Sequence, residues 1–454
     1  MPEAAMDGTL AAATRHRIEQ RRARIGVVGL GYVGLPLAVA LGQAGHTVVG
    51  VDVDQGRVDA VNAGLSPIED VDPGCVAALV ETGHLAAARA VEGLSGADAV
   101  VIAVPTPLDA HRVPDLRAVR EAAASVAAVV APGCLVVLES TTYPGTTEEI
   151  VVPALRARGL DPGGTVFVGY SPERIDPGNR VWTLANTPKV VAGLTRDCLE
   201  LTIALYETIV ERVVPVSSLR TAEITKLFEN IFRVVNIALV NEFQQICDGF
   251  EIDVWEVLDA CATKPYGFMR FHPGPGLGGH CVPVDPSYLA WKAREKGIAT
   301  EFIELAGRVN ARQATYVVGC VAGLLNERRL PLNGSRVALL GVAYKRNVAD
   351  VREAPAARIV ELLDRAGAVV TYHDPHVPTF RAAGRTLRSV PLTGEYLAQQ
   401  DCVVIVTDHD AVDWTLVSLR ARTVLDTRNV LRRMARSPLS AAIVAAPLKE
   451  GEPC

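Results

Sequence analysis

Of the nine cysteines in this chain, Cys281 has the neighbours a reactive thiol needs. It follows Gly278-Gly279-His280 and stands just ahead of Asp285-Pro286, a pairing of N-cap and first helical residue that predicts a helix start. Glycines let a ligand approach the backbone closely, and a helix N-terminus stabilises a thiolate. A single cysteine is more often inert core, and Asp before Pro is an ordinary cap, so it is the loop as a whole that points to a nucleophile. Lys226 and Asn230 are four residues apart in a helically periodic stretch and share one face. There an ammonium and an amide could steady an oxyanion or assist proton transfer, the bland alternative being a solvated face. Ser140-Thr-Thr-Tyr-Pro-Gly-Thr146 follows one predicted strand, and Pro172-Glu173 follows the next. Hydroxyls and a carboxylate at such strand ends suit the placing of water, although capping is the commoner use of Ser and Thr. Metal ligation has little support, because His280 and Cys281 are adjacent and His373-Asp-Pro-His376 is isolated. No nucleophile elbow supports serine hydrolysis.

These residues need a scaffold, and the chain's periodicities supply one. Short β-branched runs at 25–28, 47–51, 99–104, 135–138 and 166–168 alternate with Ala-rich helical stretches. That alternation predicts an α/β, doubly wound parallel sheet over 24–214. Gly29-Leu-Gly31-Tyr-Val-Gly34 follows the first run and opens a helix, the context that the dinucleotide fingerprint requires. Asp52 ends the second run, where a carboxylate binds the ribose hydroxyls and repels a 2′-phosphate, so NAD is expected over NADP. Over 215–330 the pattern turns helical. Ile224, Leu227, Phe228, Ile231, Val234, Val235, Ala238 and Leu239 predict one long helix spanning 219–248. Residues 331–454 read as a second Rossmann-like domain, in which Gly341-Val-Ala-Tyr-Lys345 replaces the phosphate fingerprint and implies a ligand other than a second dinucleotide.

A chain of 454 residues calls for two or three domains, and 49% apolar with 21% charged residues is the composition of folded ones. The net charge of −6 lacks the basic excess of nucleic-acid binders. An odd number of scattered cysteines without a C-x-x-C pair implies a reduced, cytoplasmic setting. Residues 25–51 carry no Asp, Glu, Lys or Arg, but their Gly and Pro residues divide the run into strand, turn, helix, turn and strand, which argues against a membrane span. Residues 1–23, rich in Ala and Arg without the apolar core of a signal peptide, read as a disordered tail.

Taken in order, these pieces resemble the UDP-glucose/GDP-mannose dehydrogenase family. The matching motifs are Gly29 to Gly34, Glu139-Ser-Thr-Thr-Tyr-Pro-Gly-Thr-Thr147, Ser171-Pro-Glu173, Glu223-Ile-Thr-Lys-Leu-Phe-Glu-Asn230, Gly276-Leu-Gly-Gly-His-Cys-Val-Pro-Val-Asp285, and Gly341-Val-Ala-Tyr-Lys345 on to Asp350-Val-Arg352. The resemblance implies that Cys281 is the nucleophile, that Lys226 and Asp285 assist proton transfer, that Asn230 steadies the oxyanion, and that Thr141 and Glu173 place or activate water. It implies NAD contacts from Gly29, Gly31, Tyr32, Val33, Gly34 and Asp52, joined by Pro105, Thr106, Thr141 and Arg352. For the UDP-sugar it implies Glu173, Lys226, Asn230, Arg270, Gly278, Lys345 and Arg428, and for the long helix a homodimer interface.

The motifs also depart from those of UDP-glucose enzymes, with His280 for the usual serine, Val284 for the lysine and Pro177 for a second glutamate. The Gly-Gly-His-Cys form is similar to the UDP-N-acetylhexosamine 6-dehydrogenase branch, and UDP-N-acetylglucosamine is the expected substrate. UDP-N-acetylmannosamine and UDP-glucose are the alternatives. In the implied reaction an alcohol loses two hydrides in turn, and Cys281 holds the intermediate first as a thiohemiacetal and then as a thioester. A non-catalytic NAD-binding scaffold would be expected to lack Cys281, Lys226 or Asp285. A two-electron hydroxyacid dehydrogenase would need neither the cysteine loop nor so large a second α/β domain.

Overall fold

The structure is a computed structural model that describes residues 3–68, 71–109, 111–176, 179, 181–279 and 284–435. His280, Cys281 and Pro177 lie outside the described residues. The chain forms two compact units, Met1–Glu229 with Ser287–Ile298, and Asn230–Pro286 with Ala299–Cys454. The helical stretch 215–330 is thus shared between them.

The first unit is built on eight strands: β1 (Arg24–Val28), β2 (Thr47–Val51), β3 (Leu85–Ala88), β4 (Ala99–Ile102), β5 (Leu135–Leu138), β6 (Phe167–Tyr170), β7 (Lys189–Gly193) and β8 (Val213–Pro215). They lie in the order β3-β2-β1-β4-β5-β6-β7-β8. All neighbours run parallel except β6 and β7. Strands β4 and β5 are buried along their whole length, which is why they read as unbroken apolar runs. The order reverses between β1 and β4, and open α/β sheets bind ligands at the carboxyl ends of such a pair.

The N-terminal segment corrects the expectation of a disordered tail, because Glu3–Glu19 is a helix. Ile18 and Thr14 are fully buried, Thr14 Oγ1 donates to the Gly133 carbonyl at 2.7 Å, and Arg17 pairs with Asp98 at 2.6 Å. Leu10, Ala11, Thr14 and Ile18 face inward while Ala12 and Ala13 are exposed, so the sequence shows little periodic contrast.

In the second unit, β9 (Arg336–Leu340), β10 (Val369–His373), β13 (Cys402–Ile405) and β14 (Val424–Asp426) form a parallel sheet in the order β10-β9-β13-β14. A hairpin of β11 (Thr379–Ala382) and β12 (Arg385–Arg388) turns through Ala383 and Gly384, both at positive φ. One long helix, Leu219–Gly249, joins the units. Its second-unit part packs Val234 and Ala238 against Ala306 and Val309 of the helix Glu301–Glu327. Asn241, Asn310 and Gln313 are buried in the same unit, where Asn241 donates to Asn310 at 3.1 Å.

Candidate functional site

In the first unit, the turn after β1 needs glycine for steric reasons. Gly29 has φ +95°, and a Cβ there would lie 2.5 Å from the Ala103 carbonyl oxygen. At Gly34 a Cβ would meet the Gly29 carbonyl oxygen at 1.7 Å, whereas at Gly31 it would meet nothing within 4 Å. The first and third glycines therefore close the turn, and the second leaves room for a ligand. The helix Gly34–Gln43 begins without a side-chain cap or an acid in its first turn, so its positive end is left to an anion. These residues fit a dinucleotide pyrophosphate.

Asp52 is 5% exposed, and its Oδ2 accepts the Leu30 N–H at 2.8 Å while its Oδ1 accepts that of Asp54 at 2.9 Å. The carboxylate thus holds the glycine turn. Pro105 and Thr106 follow β4, across the switch point from that turn. Ser140 Oγ donates to the Val104 carbonyl at 2.7 Å, which ties the loop carrying half-buried Thr141 to the same edge.

Glu173 does not stand free. Its Oε1 accepts the N–H groups of Arg174 and Ile175, each at 2.6 Å, and its Oε2 accepts from Lys189 Nζ at 2.7 Å. Lys189 also donates to Glu139 Oε1. Burial alone would raise the Glu173 carboxyl, but Lys189 and the two N–H groups outweigh it and hold the carboxyl below its ordinary range. Glu139, by contrast, is pushed up to about 7 by burial and by Glu173, against the pull of Lys189. Neither Glu139 nor Lys189 was singled out as a functional side chain by the sequence. The available signal was a lysine opening an otherwise apolar strand, Lys-Val-Val-Ala-Gly.

Lys226 is half-buried on the long helix, one turn past Glu223. Glu223 is wholly buried and accepts from Gly145 N at 2.5 Å, Thr147 N at 2.9 Å and Thr147 Oγ1 at 2.7 Å. It thereby fastens the loop of Thr141 to the start of that helix. Burial raises its carboxyl to about 7, more than these donors lower it.

In the second unit, Asn230 Nδ2 donates to Asp285 Oδ2 at 2.5 Å, and both residues are buried. Asp285 opens the helix Asp285–Glu295. The glycine loop upstream is shaped by the Gly341–Lys345 motif. A Cβ on Gly278 would lie 2.7 Å from Tyr344 Cβ, and Gly279, at φ +90°, donates its N–H to the Arg352 carbonyl at 3.0 Å. The Arg352 side chain forms a two-point pair with Asp350 at 3.0 and 2.6 Å. Lys345 is half-buried in the same motif.

A cavity of ≈480 Å³ in this unit brings Arg270 and Arg428 together with Arg433, Asp259, Asp408, Trp255 and His272. That is the size of a small-molecule site. Arg428 Nε donates to the Val406 carbonyl at 2.8 Å, and a Cβ at position 274 would meet the Arg428 guanidinium at 2.8 Å, so that glycine leaves the guanidinium its place. Trp255 and His272 stack obliquely with ring centres 5.4 Å apart. Burial, with Arg270 and Arg433 nearby, lowers the His272 pKa and keeps the ring neutral. Arginines suit a diphosphate and aromatic rings suit a base. Trp255 and Arg433 escaped the sequence reading because no motif contains them.

Three family models match the chain: the UDP-glucose/GDP-mannose dehydrogenase family NAD binding domain at 23–210, its central domain at 220–312, and its UDP binding domain at 338–433. The UDP-N-acetyl-D-glucosamine 6-dehydrogenase of Pseudomonas aeruginosa is 38% identical over 391 residues, covering 85% of this chain and 90% of the relative. The NDP-N-acetyl-D-galactosaminuronic acid dehydrogenase of Ralstonia nicotianae is 36% identical, covering 89% and 96%. The structure of UDP-D-ManNAc dehydrogenase from Pyrococcus horikoshii superposes with a TM-score of 0.82 at 32% identity, covering 89% and 95%.

Proposed function

The chain belongs to the UDP-glucose/GDP-mannose dehydrogenase family, and from that premise we propose that it oxidises the C6 hydroxymethyl of a UDP-2-acetamido sugar to a carboxylate, with UDP-N-acetylglucosamine as the preferred substrate. It is an NAD-dependent nucleotide-sugar dehydrogenase. The observation that carries the reaction type is the buried Asn230–Asp285 hydrogen bond at the N-terminus of the helix that Cys281 precedes by four residues in sequence. The relatives named above, which act by name on acetamido sugars or their uronic acids, support the sugar class.

Bound NAD⁺ supplies a hydride acceptor for each of the two oxidations. In this reading Lys226 and Asn230 steady the oxygen of the reacting carbon, and Asp285, fixed by Asn230, takes part in proton transfer. The Cys281 thiolate bonds to the C6 aldehyde carbon, retaining the intermediate until it is a thioester. Thr141 and Glu173 then hold the hydrolytic water. The Arg270 and Arg428 cavity takes the UDP moiety, and Lys345 and Gly278 contact the sugar nucleotide. The seven cysteines among the described residues are all free, which supports a reducing, cytoplasmic setting. No helix among the described residues is long and apolar enough to cross a membrane.

The test is NADH formation on a panel of UDP-glucose, UDP-N-acetylglucosamine, UDP-N-acetylmannosamine, UDP-N-acetylgalactosamine and GDP-mannose. UDP-N-acetylglucosamine is expected to give the highest kcat/KM. Clear preference for UDP-glucose or GDP-mannose would overturn the acetamido assignment.

A further inference from the structure

Three charged side chains are packed together inside the first unit, and the reaction described above uses only one of them. Glu139, Lys189 and Glu173 are 1%, 2% and 8% exposed. Sheet topology brings them to one edge. Glu139 directly follows β5 and Glu173 lies just past β6, while β7 runs antiparallel to β6, so that its first residue, Lys189, returns to the carboxyl edge. The pairing of Gly169 with Gly193 and Tyr170 with Ala192, carried three residues on, sets Glu173 opposite Lys189.

Lys189 Nζ bridges Glu173 Oε2 at 2.7 Å and Glu139 Oε1, which makes a continuous hydrogen-bonded chain of carboxylate, ammonium and carboxylate. Glu173 has both oxygens engaged, whereas Glu139 Oε2 is buried with no hydrogen-bond partner among the described residues. Among the described residues, the other titratable group facing Glu139 is Tyr206, whose ring lies 5.2 Å from Lys189 Nζ. Stability does not explain the trio, since buried ion pairs are commonly no more stabilising than apolar groups of the same shape.

We propose that Glu139 is the terminal proton acceptor of the hydrolytic step, reached from Glu173 through Lys189. The inference rests on the reading of Glu173 as the residue that holds the hydrolytic water. In the step, the water oxygen bonds to the thioester carbon and one water proton passes to Glu173. Lys189 takes that proton from Glu173 Oε2 while giving one of its own to Glu139 Oε1. The C–S bond then breaks with its electron pair on sulfur, releasing the thiolate, and the remaining acid proton leaves to solvent as the carboxylate forms. Glu173 and Lys189 return to their starting charge, and Glu139 carries the proton until it equilibrates with water. The proton affinities run the right way, because Glu173 is held as a carboxylate while burial raises Glu139 to about 7. Proton affinity within so tight a trio belongs to the group as a whole, so one limb of the pH profile of hydrolysis should report it.

The experiment compares Glu139→Gln, Glu139→Asp, Lys189→Met and Glu173→Gln in the full-length enzyme with UDP-N-acetylglucosamine and NAD⁺. The single-turnover NADH burst reads oxidation, and intact mass spectrometry reads thioester decay. Glu139→Gln, which keeps an acceptor for Lys189 but cannot take a proton, should keep the burst, slow thioester decay on the order of 10²-fold, and abolish its limb near neutral pH. Glu139→Asp should restore part of the rate, and Lys189→Met should match Glu139→Gln. Wild-type decay and an unchanged limb in Glu139→Gln, with Glu173→Gln slow, would overturn the relay alone. Wild-type decay in Glu173→Gln would overturn the underlying role of Glu173. Loss of the burst in Glu139→Gln would reduce the trio to a structural role. Should that variant fail to fold, difference infrared spectroscopy of the wild type during thioester decay decides the matter: a carboxyl must become protonated, and its absence overturns the proposal.

Discussion

Asp52 is proposed to serve the ligand, and it serves the fold as well. Its charge is expected to select against a 2′-phosphate, and one of its oxygens holds the Leu30 N–H and so the glycine turn itself. Asp52→Asn keeps an acceptor and removes the charge, and should narrow the preference for NAD⁺ over NADP⁺ with little loss of stability. Asp52→Ala removes both and should also cost about 1–3 kcal/mol, read from thermal or denaturant unfolding. Wild-type kcat/KM equal or better with NADP⁺ would sink the reading of the carboxylate as the selector. Cys281 admits a sharper test, since in the proposed reaction replacing it removes the covalent intermediate altogether. Cys281→Ala should lose four-electron turnover by several orders of magnitude while slow removal of the first hydride survives. Full production of the uronic acid by that variant, or a sugar adduct mapped to another cysteine in Glu173→Gln, would end the assignment. The glycine turn and Asp52 were legible in the sequence because their chemistry is local. Lys189 was not, because its meaning depends on an antiparallel strand that brings it beside Glu173.

At the scale of elements, the second unit repeats a device of the first. Gly341 after β9 donates its N–H to the His373 carbonyl as Gly29 does to that of Val51, and Asp374 Oδ2 accepts the Val342 N–H at 2.7 Å as Asp52 Oδ2 accepts that of Leu30. But Asp374 also receives Nε2 of buried His409 at 3.1 Å, with the ring tautomer set by Asn347 N–H donating to Nδ1 at 2.9 Å. Its carboxylate is spent on the fold, in keeping with the missing phosphate fingerprint. Glu223 is likewise a connector between elements. Its folded-state carboxyl is raised from 4.5 to about 7, so the folded chain holds this proton more tightly than the unfolded chain does. The stability so gained is full below pH 4.5 and is lost as pH rises through about 7. Glu223→Gln cannot ionise and should flatten the pH dependence of Tm across that window; an unchanged slope would show that another group sets it. The motif around Glu223 was visible in the sequence, but its pairing with Gly145 and Thr147 of another motif was not. The helix Glu301–Glu327 was missed for a related reason, because Asn310 and Gln313 interrupt its apolar stripe and find partners only across the helix pair.

At the scale of the whole molecule, the second-unit part of the long helix has a face that the described residues leave exposed. Phe232, Leu239 and Ile246, all in the second unit, are each two-fifths or more exposed. At about 100° per residue they fall within a stripe roughly 40° wide, and at 1.5 Å per residue it runs about 21 Å. An apolar stripe of that length marks an interaction surface, and the family resemblance assigns its occupant as the same helix of a second copy. In a two-fold interface each residue appears twice, so a double substitution places four charges in it. Full burial of such side chains is worth about 1.5–3 kcal/mol each, and an unpaired buried charge reverses the sign. The wild type should therefore run as a dimer in size-exclusion chromatography with light scattering at micromolar concentration. Phe232→Glu with Leu239→Glu should raise the dissociation constant at least roughly 10²-fold and leave a folded monomer by circular dichroism. A monomeric wild type, or a dimer indifferent to both charges, would mean that the stripe serves some other contact.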